Sequence, residues 1–240
     1  MRKLLLLLCI VMNGRATLEE QQRLAAELFN FVGNNSSTGH KERRAIYRKH
    51  YYFIDFWKHG FKMPIYFNTV RDPVAREFSK FYFVRAKHVL EYINDTFKID
   101  IEMETWKRNS KKALGKALEN IEKFYPVVGV LEKWNETLTV MEEFPKTRPF
   151  FKGITDIYYS KARKEGKEGR INYNDSNKPK QGITPKVKEA LGEMLSSEYT
   201  LYKFLMKRLM NQYAVVTLLK NISSSHDASS RGEAYVFDDE

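Results

Sequence analysis

The amino-acid sequence predicts an α/β fold, with helices packed on a central parallel sheet. Two stretches carry that expectation. Ile65–Val70 is rich in β-branched and aromatic residues, short enough for a buried strand, and a helix-start signal follows it at once. Residues 125–130 (YPVVGV) repeat the arrangement. They lead into a helix over residues 133–144 with Leu138, Met141 and Phe144 on one face. With 240 residues the chain forms one domain, or one with appendages, and encloses a substantial core.

The first residues read differently. Met1-Arg2-Lys3 is a basic start, and residues 4–12 form an apolar run of under half the roughly twenty residues needed to cross a bilayer. Residues 1–16 are therefore expected to be a signal-like leader, and the chain's membrane attachment if uncleaved. The folded domain is expected over 17–222, with a disordered polar tail over 223–240. Asn34, Asn35, Asn94, Asn135, Asn174 and Asn221 each begin an Asn-x-Ser/Thr sequon, which agrees with passage through the secretory pathway as a glycoprotein. The one cysteine, Cys9, lies in the apolar run, so a chain without its leader has no disulfide, thiol nucleophile or cysteine zinc site.

Taken in order, Thr17 caps a helix over 17–32 and Glu20 completes its capping box. Leu18, Leu24, Ala25, Leu28 and Phe31 mark its apolar stripe. A polar loop (33–39) and a basic, exposed stretch (41–49) follow. The aromatic run 47–56 reads as a strand or a short buried segment. It contains His50, and a lone histidine among aromatics is more often a packing residue than a catalyst. Residues 86–123 have helical periodicity, interrupted around 96–102. Residues 157–181 hold Lys161, Arg163, Lys164, Lys167, Arg170, Lys178 and Lys180, and read as a mobile solvated loop. Thr184-Pro185 starts the last helix, over 187–219.

The hinge after Ile65–Val70 is the most informative place. Asp72 serves as N-cap with Pro73 at the first helical position, and Val74, Phe78, Phe81 and Tyr82 share one helix face. A helix N-terminus suits a phosphate, Arg71 adds a bidentate donor, and Ser79 offers a hydroxyl eight residues on. The alternative is that Arg71 pairs with Asp72 or Glu77 and merely pins the turn. Forty-one Lys and Arg against 30 acids give +11, which favours a polyanionic partner: nucleic acid, an anionic membrane or a sulfated glycan. No nucleic-acid motif is present, and nucleic acid is not the expected partner.

The run V-R-D-P-V-x-R-x-x-S-x-F-Y-F-x-R (Val70 to Arg85) resembles the 3'-phosphate-binding segment of the uronyl and heparan sulfate 2-O-sulfotransferases. The stretch V-V-G-V-L-E-x-W-x-E-T-L-x-V-M-E-x-F, from Val127, is similar to that family's second block, a central strand with its packing helix. The resemblance implies a three-layer, P-loop-like nucleotide sulfotransferase fold. It also implies a Golgi transferase that moves a sulfuryl group from 3'-phosphoadenosine 5'-phosphosulfate to the 2-hydroxyl of a uronic acid in heparan or dermatan/chondroitin sulfate, with no metal. Arg71 and Ser79 stand where the family holds the 3'-phosphate. His50, ahead of Asp55-Phe56, stands where it places its base, and Arg48 stands where some members carry a second histidine. Lys178 is a further candidate for the nucleotide; Arg48, Arg85, Arg170 and Lys180 are candidates for the glycan. The family often assembles as trimers.

The chain lacks the longer, cysteine-bearing insertion that members usually carry after this segment. Their 5'-phosphosulfate loop, a lysine and a Gly/Ala-Ser-Thr run between a strand and a helix, is also not found. Residues 36–41 (SSTGHK) hold its ingredients in another order, and no strand is expected before them. The expected fold is therefore N-terminally incomplete. The alternative function is that of a catalytically inactive relative that binds glycosaminoglycan.

Overall fold

The computed structural model describes residues 4–8, 17–33, 45–49, 53–84, 110–164 and 184–230. In chain order these form β1 (Leu4–Leu8), α1 (Leu18–Gly33), β2 (Ala45–Lys49), a 3-10 turn (Phe56–His59), β3 (Ile65–Val70) and α2 (Pro73–Val84). Next come α3 (Lys111–Phe124), β4 (Val127–Val130), α4 (Trp134–Glu143), α5 (Arg148–Phe151), α6 (Ile154–Lys164), α7 (Pro185–Met194) and α8 (Ser196–Ser230). Among the described residues the sheet has four strands, all parallel, in the order β2-β1-β3-β4.

β1 is made of residues expected to belong to the leader. It pairs with β2 on one side, Leu4 opposite Ala45, and with β3 on the other, Leu5 opposite Ile65. An interior strand of a parallel sheet reads as an unbroken apolar run, and so does the apolar segment of a signal peptide. A chain cleaved after residue 16 would leave β2 and β3 without the strand that joins them. β2 falls where an exposed basic stretch was expected. It is the edge strand, where lysine and arginine are well tolerated, and its Ile46 is exposed.

β3 buries apolar side chains on both faces, since successive strand residues point to opposite sides. Tyr66 joins Leu24, Ala25 and Leu28 of α1, Ile54, Phe56 and Val128 in one cluster. Phe67 joins Val127, Val140, Met141, Phe151, Leu209 and Val216 in another. A third, smaller cluster packs Val74 of α2 against Leu191 and Leu195, with Phe78 and Tyr199 alongside.

Several helix ends follow their sequence signals. The Thr17 N–H donates to Glu20 Oε2 (2.7 Å) and the Glu20 N–H to Thr17 Oγ1 (3.2 Å), closing the expected capping box. Thr184 caps α7, accepting from the Val187 N–H (3.4 Å). Other stretches depart from expectation. Residues 157–164 of the supposed basic loop lie in α6, which brings Lys161, Arg163 and Lys164 to its last turn, a favourable place for cations. The last helix is two helices, parted at Leu195, and α8 runs to Ser230 through residues assigned to a disordered tail. No described helix is long and apolar enough to cross a membrane.

The contact of β4 with α4 is unusually close. Thr137 is fully buried; its hydroxyl accepts from the Val130 N–H (3.0 Å) and donates to the Val130 carbonyl (3.1 Å). This clamp brings the Thr137 methyl over Gly129, where an added Cβ would lie 2.6 Å from it and 3.1 Å from Thr69 Cγ2. Gly129→Ala is therefore expected to cost about 1–3 kcal/mol by overpacking, read as a lower urea midpoint with an unchanged slope.

Candidate functional site at the turn from β3 to α2

β3 ends at Val70 and α2 begins at Pro73, so Arg71 and Asp72 form the whole turn. Because the strands are parallel, their carboxyl ends share one edge of the sheet. That edge is where open α/β sheets take ligands.

Asp72 is committed to holding the helix. Its Oδ1 accepts from the Ala75 N–H (2.8 Å), its carbonyl from the Arg76 N–H (2.8 Å), and its Oδ2 from the Tyr199 hydroxyl (2.9 Å). Pro73 has no N–H. Of the N–H groups in the first turn of α2, this leaves that of Val74 for a ligand. An anion at this turn would therefore meet the Arg71 side chain more than a cluster of backbone donors.

β3 pairs with β4 so that Val70 lies opposite Val130. The residues just beyond the two strands consequently meet. Glu132 Oε1 accepts from the Asp72 N–H (3.1 Å) and lies 3.9 Å from Arg71 Nε, while Glu132 Oε2 accepts from the Tyr202 hydroxyl (3.1 Å). Arg71 thus faces Glu132, and not Asp72 or Glu77 as the bland reading of the turn had it. Both partners are about a third exposed, at 37% and 35%, so the pair is worth under about 1 kcal/mol.

The neighbouring arginine does more for the packing. Arg76 Nη2 lies 2.9 Å from Glu77 and also bonds Glu198, which ties α2 to the first turn of α8. Burial alone would lower the Arg76 pKa, but the charges and hydrogen bonds of Glu198 and Glu77 outweigh it and raise the pKa. Burial raises the Tyr202 pKa, assisted by the charge of the Glu132 carboxylate, which accepts its hydrogen bond. Tyr199 is pushed up from 10.0 to about 12 by burial, then by its bond to Asp72 and that residue's charge.

Of the candidate residues, Arg71 is at this turn and Ser79 lies half-buried two turns along α2. Arg48 is the fourth of the five residues of β2, the edge strand. His50, Arg85, Arg170, Lys178 and Lys180 lie outside the described residues, as do Asn34, Asn35, Asn94 and Asn174. Strand β2 ends at Lys49, one residue before His50, at the same edge of the sheet as Arg71. Asn135 is exposed at the start of α4, its amide oxygen accepting from the Tyr159 hydroxyl, and Asn221 is exposed on α8. The Asn135 sequon closes on the buried Thr137, so a glycan there would have to be added before α4 docks.

Sequence reasoning missed Glu132, Tyr199 and Tyr202. Glu132 falls in the block expected to be a central strand with its packing helix, and the two tyrosines fall in the last helix with no signal of their own. The one available signal was an acid placed directly after a buried strand. β1 is a strand within residues expected to form the leader. β1 sits beside β3, and residues 9–17 connect it to α1, with Arg15 and no lysine in that connection.

No protein-family model matches the chain. Curated relatives do. The chain is 26% identical over 207 residues to heparan sulfate 2-O-sulfotransferase 1 of Xenopus laevis, covering 72% of this chain and 55% of that protein. The uronyl 2-sulfotransferase homolog pip of Drosophila melanogaster is 24% identical over 223 residues, 72% of this chain and 41% of its own length. Heparan sulfate 2-O-sulfotransferase hst-2 of Caenorhabditis elegans is 36% identical over 75 residues, 31% of this chain and 23% of its own length. The chain is thus similar to the heparan sulfate and uronyl 2-O-sulfotransferases. It spans about half the length of the first of these relatives, 55%.

Within this 2-O-sulfotransferase relative, the turn's anchorage on α8 has a measurable pH signature. The fold favours the neutral Tyr199 hydroxyl, so its contribution is complete below about pH 10 and is lost as the pH rises toward about 12. Tyr199→Phe is expected to cost about 0.5–1.5 kcal/mol at neutral pH. In urea titrations that difference from wild type should close over the same alkaline window.

Proposed function

We propose that the chain transfers a sulfuryl group from 3'-phosphoadenosine 5'-phosphosulfate to the 2-hydroxyl of a uronic acid in heparan or dermatan/chondroitin sulfate. The observation that carries this reading is the Arg71 turn, at the ligand edge of a parallel sheet, in a chain whose relatives are named as 2-O-sulfotransferases. Burial of both faces of β3 supports the three-layer arrangement, with α1 on one side and α4 on the other. A secretory, Golgi-lumenal setting and a trimeric assembly belong to the same reading, from the family resemblance.

Arg71 suits a phosphate because, among the described residues, its ion pair runs through Nε, 3.9 Å from Glu132. That leaves four of its five N–H donors for an anion. Ser79 adds a hydroxyl from α2 and Lys178 a cation. When bound, the co-substrate supplies the activated sulfuryl group. His50 takes the proton of the acceptor hydroxyl. Strands β2 and β3 stand two places apart, with β1 between them. The carboxyl ends that lead to His50 and to Arg71 are thus about 10 Å apart, which leaves room for a sulfuryl group and an acceptor sugar between them. Arg48, Arg85, Arg170 and Lys180 hold the sulfated chain.

Calorimetry with adenosine 3',5'-bisphosphate tests the nucleotide half of this reading. Arg71→Ala and Ser79→Ala are each expected to weaken binding by about 1–3 kcal/mol. In turnover assays on heparan acceptor, His50→Ala is expected to lower kcat by about 10²–10⁴. A folded protein that binds heparin and not the nucleotide would instead be a glycan-binding relative without the chemistry.

A further inference from the structure

We propose that Glu132 is the positioning residue of the nucleotide site: its carboxylate fixes the direction in which the Arg71 guanidinium meets a 3'-phosphate. The inference rests on the nucleotide reading above and deepens it. Arg71 stands on a two-residue turn with a long side chain of many rotamers, which a neighbouring carboxylate narrows. Glu132 approaches it at Nε, 3.9 Å away, which orients the guanidinium plane while engaging one edge of it. The same oxygen holds the Asp72 N–H at 3.1 Å, so backbone and side chain of the turn are referred to one point.

Glu132 is itself held in place. Its second oxygen accepts from the Tyr202 hydroxyl at 3.1 Å, from a neighbouring turn of α8 to the one that caps Asp72 through Tyr199. The next element, α4, begins two residues after it, and Thr137 fastens that helix to Val130. A carboxylate beside an anion site would ordinarily repel the anion. Here two donors converge on it, the Asp72 N–H and the Tyr202 hydroxyl, with the Arg71 cation 3.9 Å away, so its charge is spent on geometry.

The test measures affinity for two probes, adenosine 3',5'-bisphosphate and adenosine 5'-monophosphate, which lacks the 3'-phosphate. Glu132→Gln removes the charge and keeps the shape. It should weaken the bisphosphate about threefold and leave the monophosphate unchanged. Combined with Arg71→Ala it should add nothing further, because the group it positions is gone. Tyr202→Phe, which leaves the carboxylate on the turn, should show the same selectivity at smaller size.

Equal weakening of both probes would assign Glu132 a merely structural role. An undiminished effect of Glu132→Gln in the Arg71→Ala background would overturn the proposal in the same way. If wild type does not prefer the bisphosphate and Arg71→Ala changes nothing, the nucleotide reading itself fails, and this proposal with it. Preference that depends on Arg71 but not on Glu132 would remove the positioning role alone.

Discussion

The parallel pairing of β3 with β4 is the constraint on which the rest depends. Its register sets Val70 opposite Val130, so the chain leaves both strands at the same height. One exit becomes the Arg71-Asp72 turn and the other carries Glu132 into α4. A slip by one residue would send Tyr66 and Phe67 to each other's faces and exchange the two clusters they anchor. The cost of that exchange keeps the turn and its carboxylate in contact. Gly129 lets α4 approach closely enough to hold the second exit still, which is why a missing side chain in β4 matters to a site beyond its end.

α8 acts as the brace. Glu198, Tyr199 and Tyr202 lie within its first two turns: Tyr199 meets Asp72 of the turn, Tyr202 meets its Glu132 partner, and Glu198 meets Arg76 of α2. Further along the same helix, Leu205 enters the cluster on one face of β3 and Leu209 the cluster on the other. Displacing α8 would expose apolar surface on both, so the tyrosines inherit their rigidity from the core. Tyrosine suits this work, since its ring packs like a hydrophobe and its hydroxyl still reaches a carboxylate.

Much of this was legible where a local signal and the tertiary fold agree. Asp72-Pro73 and Thr184-Pro185 begin helices, Thr17 and Glu20 close their capping box, and Ile65–Val70 is a strand. β1 was not legible, because a leucine run satisfies a signal segment and an interior strand equally well. The basic residues of α6 hid a helix, since lysine and arginine are as frequent in solvated loops as in the last turn of a helix. Glu132 was hidden for a different reason. Its partners, Asp72 and Tyr202, are 60 and 70 residues away in sequence, and only the strand register brings them together. The same holds for Tyr199, whose helical spacing reports the face it packs on and says nothing of where its hydroxyl ends.

The charge around the turn separates two tasks that the sequence presents as one. Arg71 and Arg76 stand among Asp72, Glu77, Glu132 and Glu198, two cations against four carboxylates, while the whole chain carries +11. The excess positive charge therefore lies away from the described turn, and part of it lies in residues 157–181. A phosphate arriving at Arg71 gains little from the turn's net field. Under the proposed role, the turn would supply an oriented guanidinium, and attraction would come from cations elsewhere on the chain, acting over a Debye length of about 8–10 Å. A polyanionic glycan and a nucleotide can share that wider field, whereas only a group of phosphate shape benefits from the geometry at Arg71. The acids beside Arg71 are thus compatible with an anion site: they set orientation where the larger field already provides the pull.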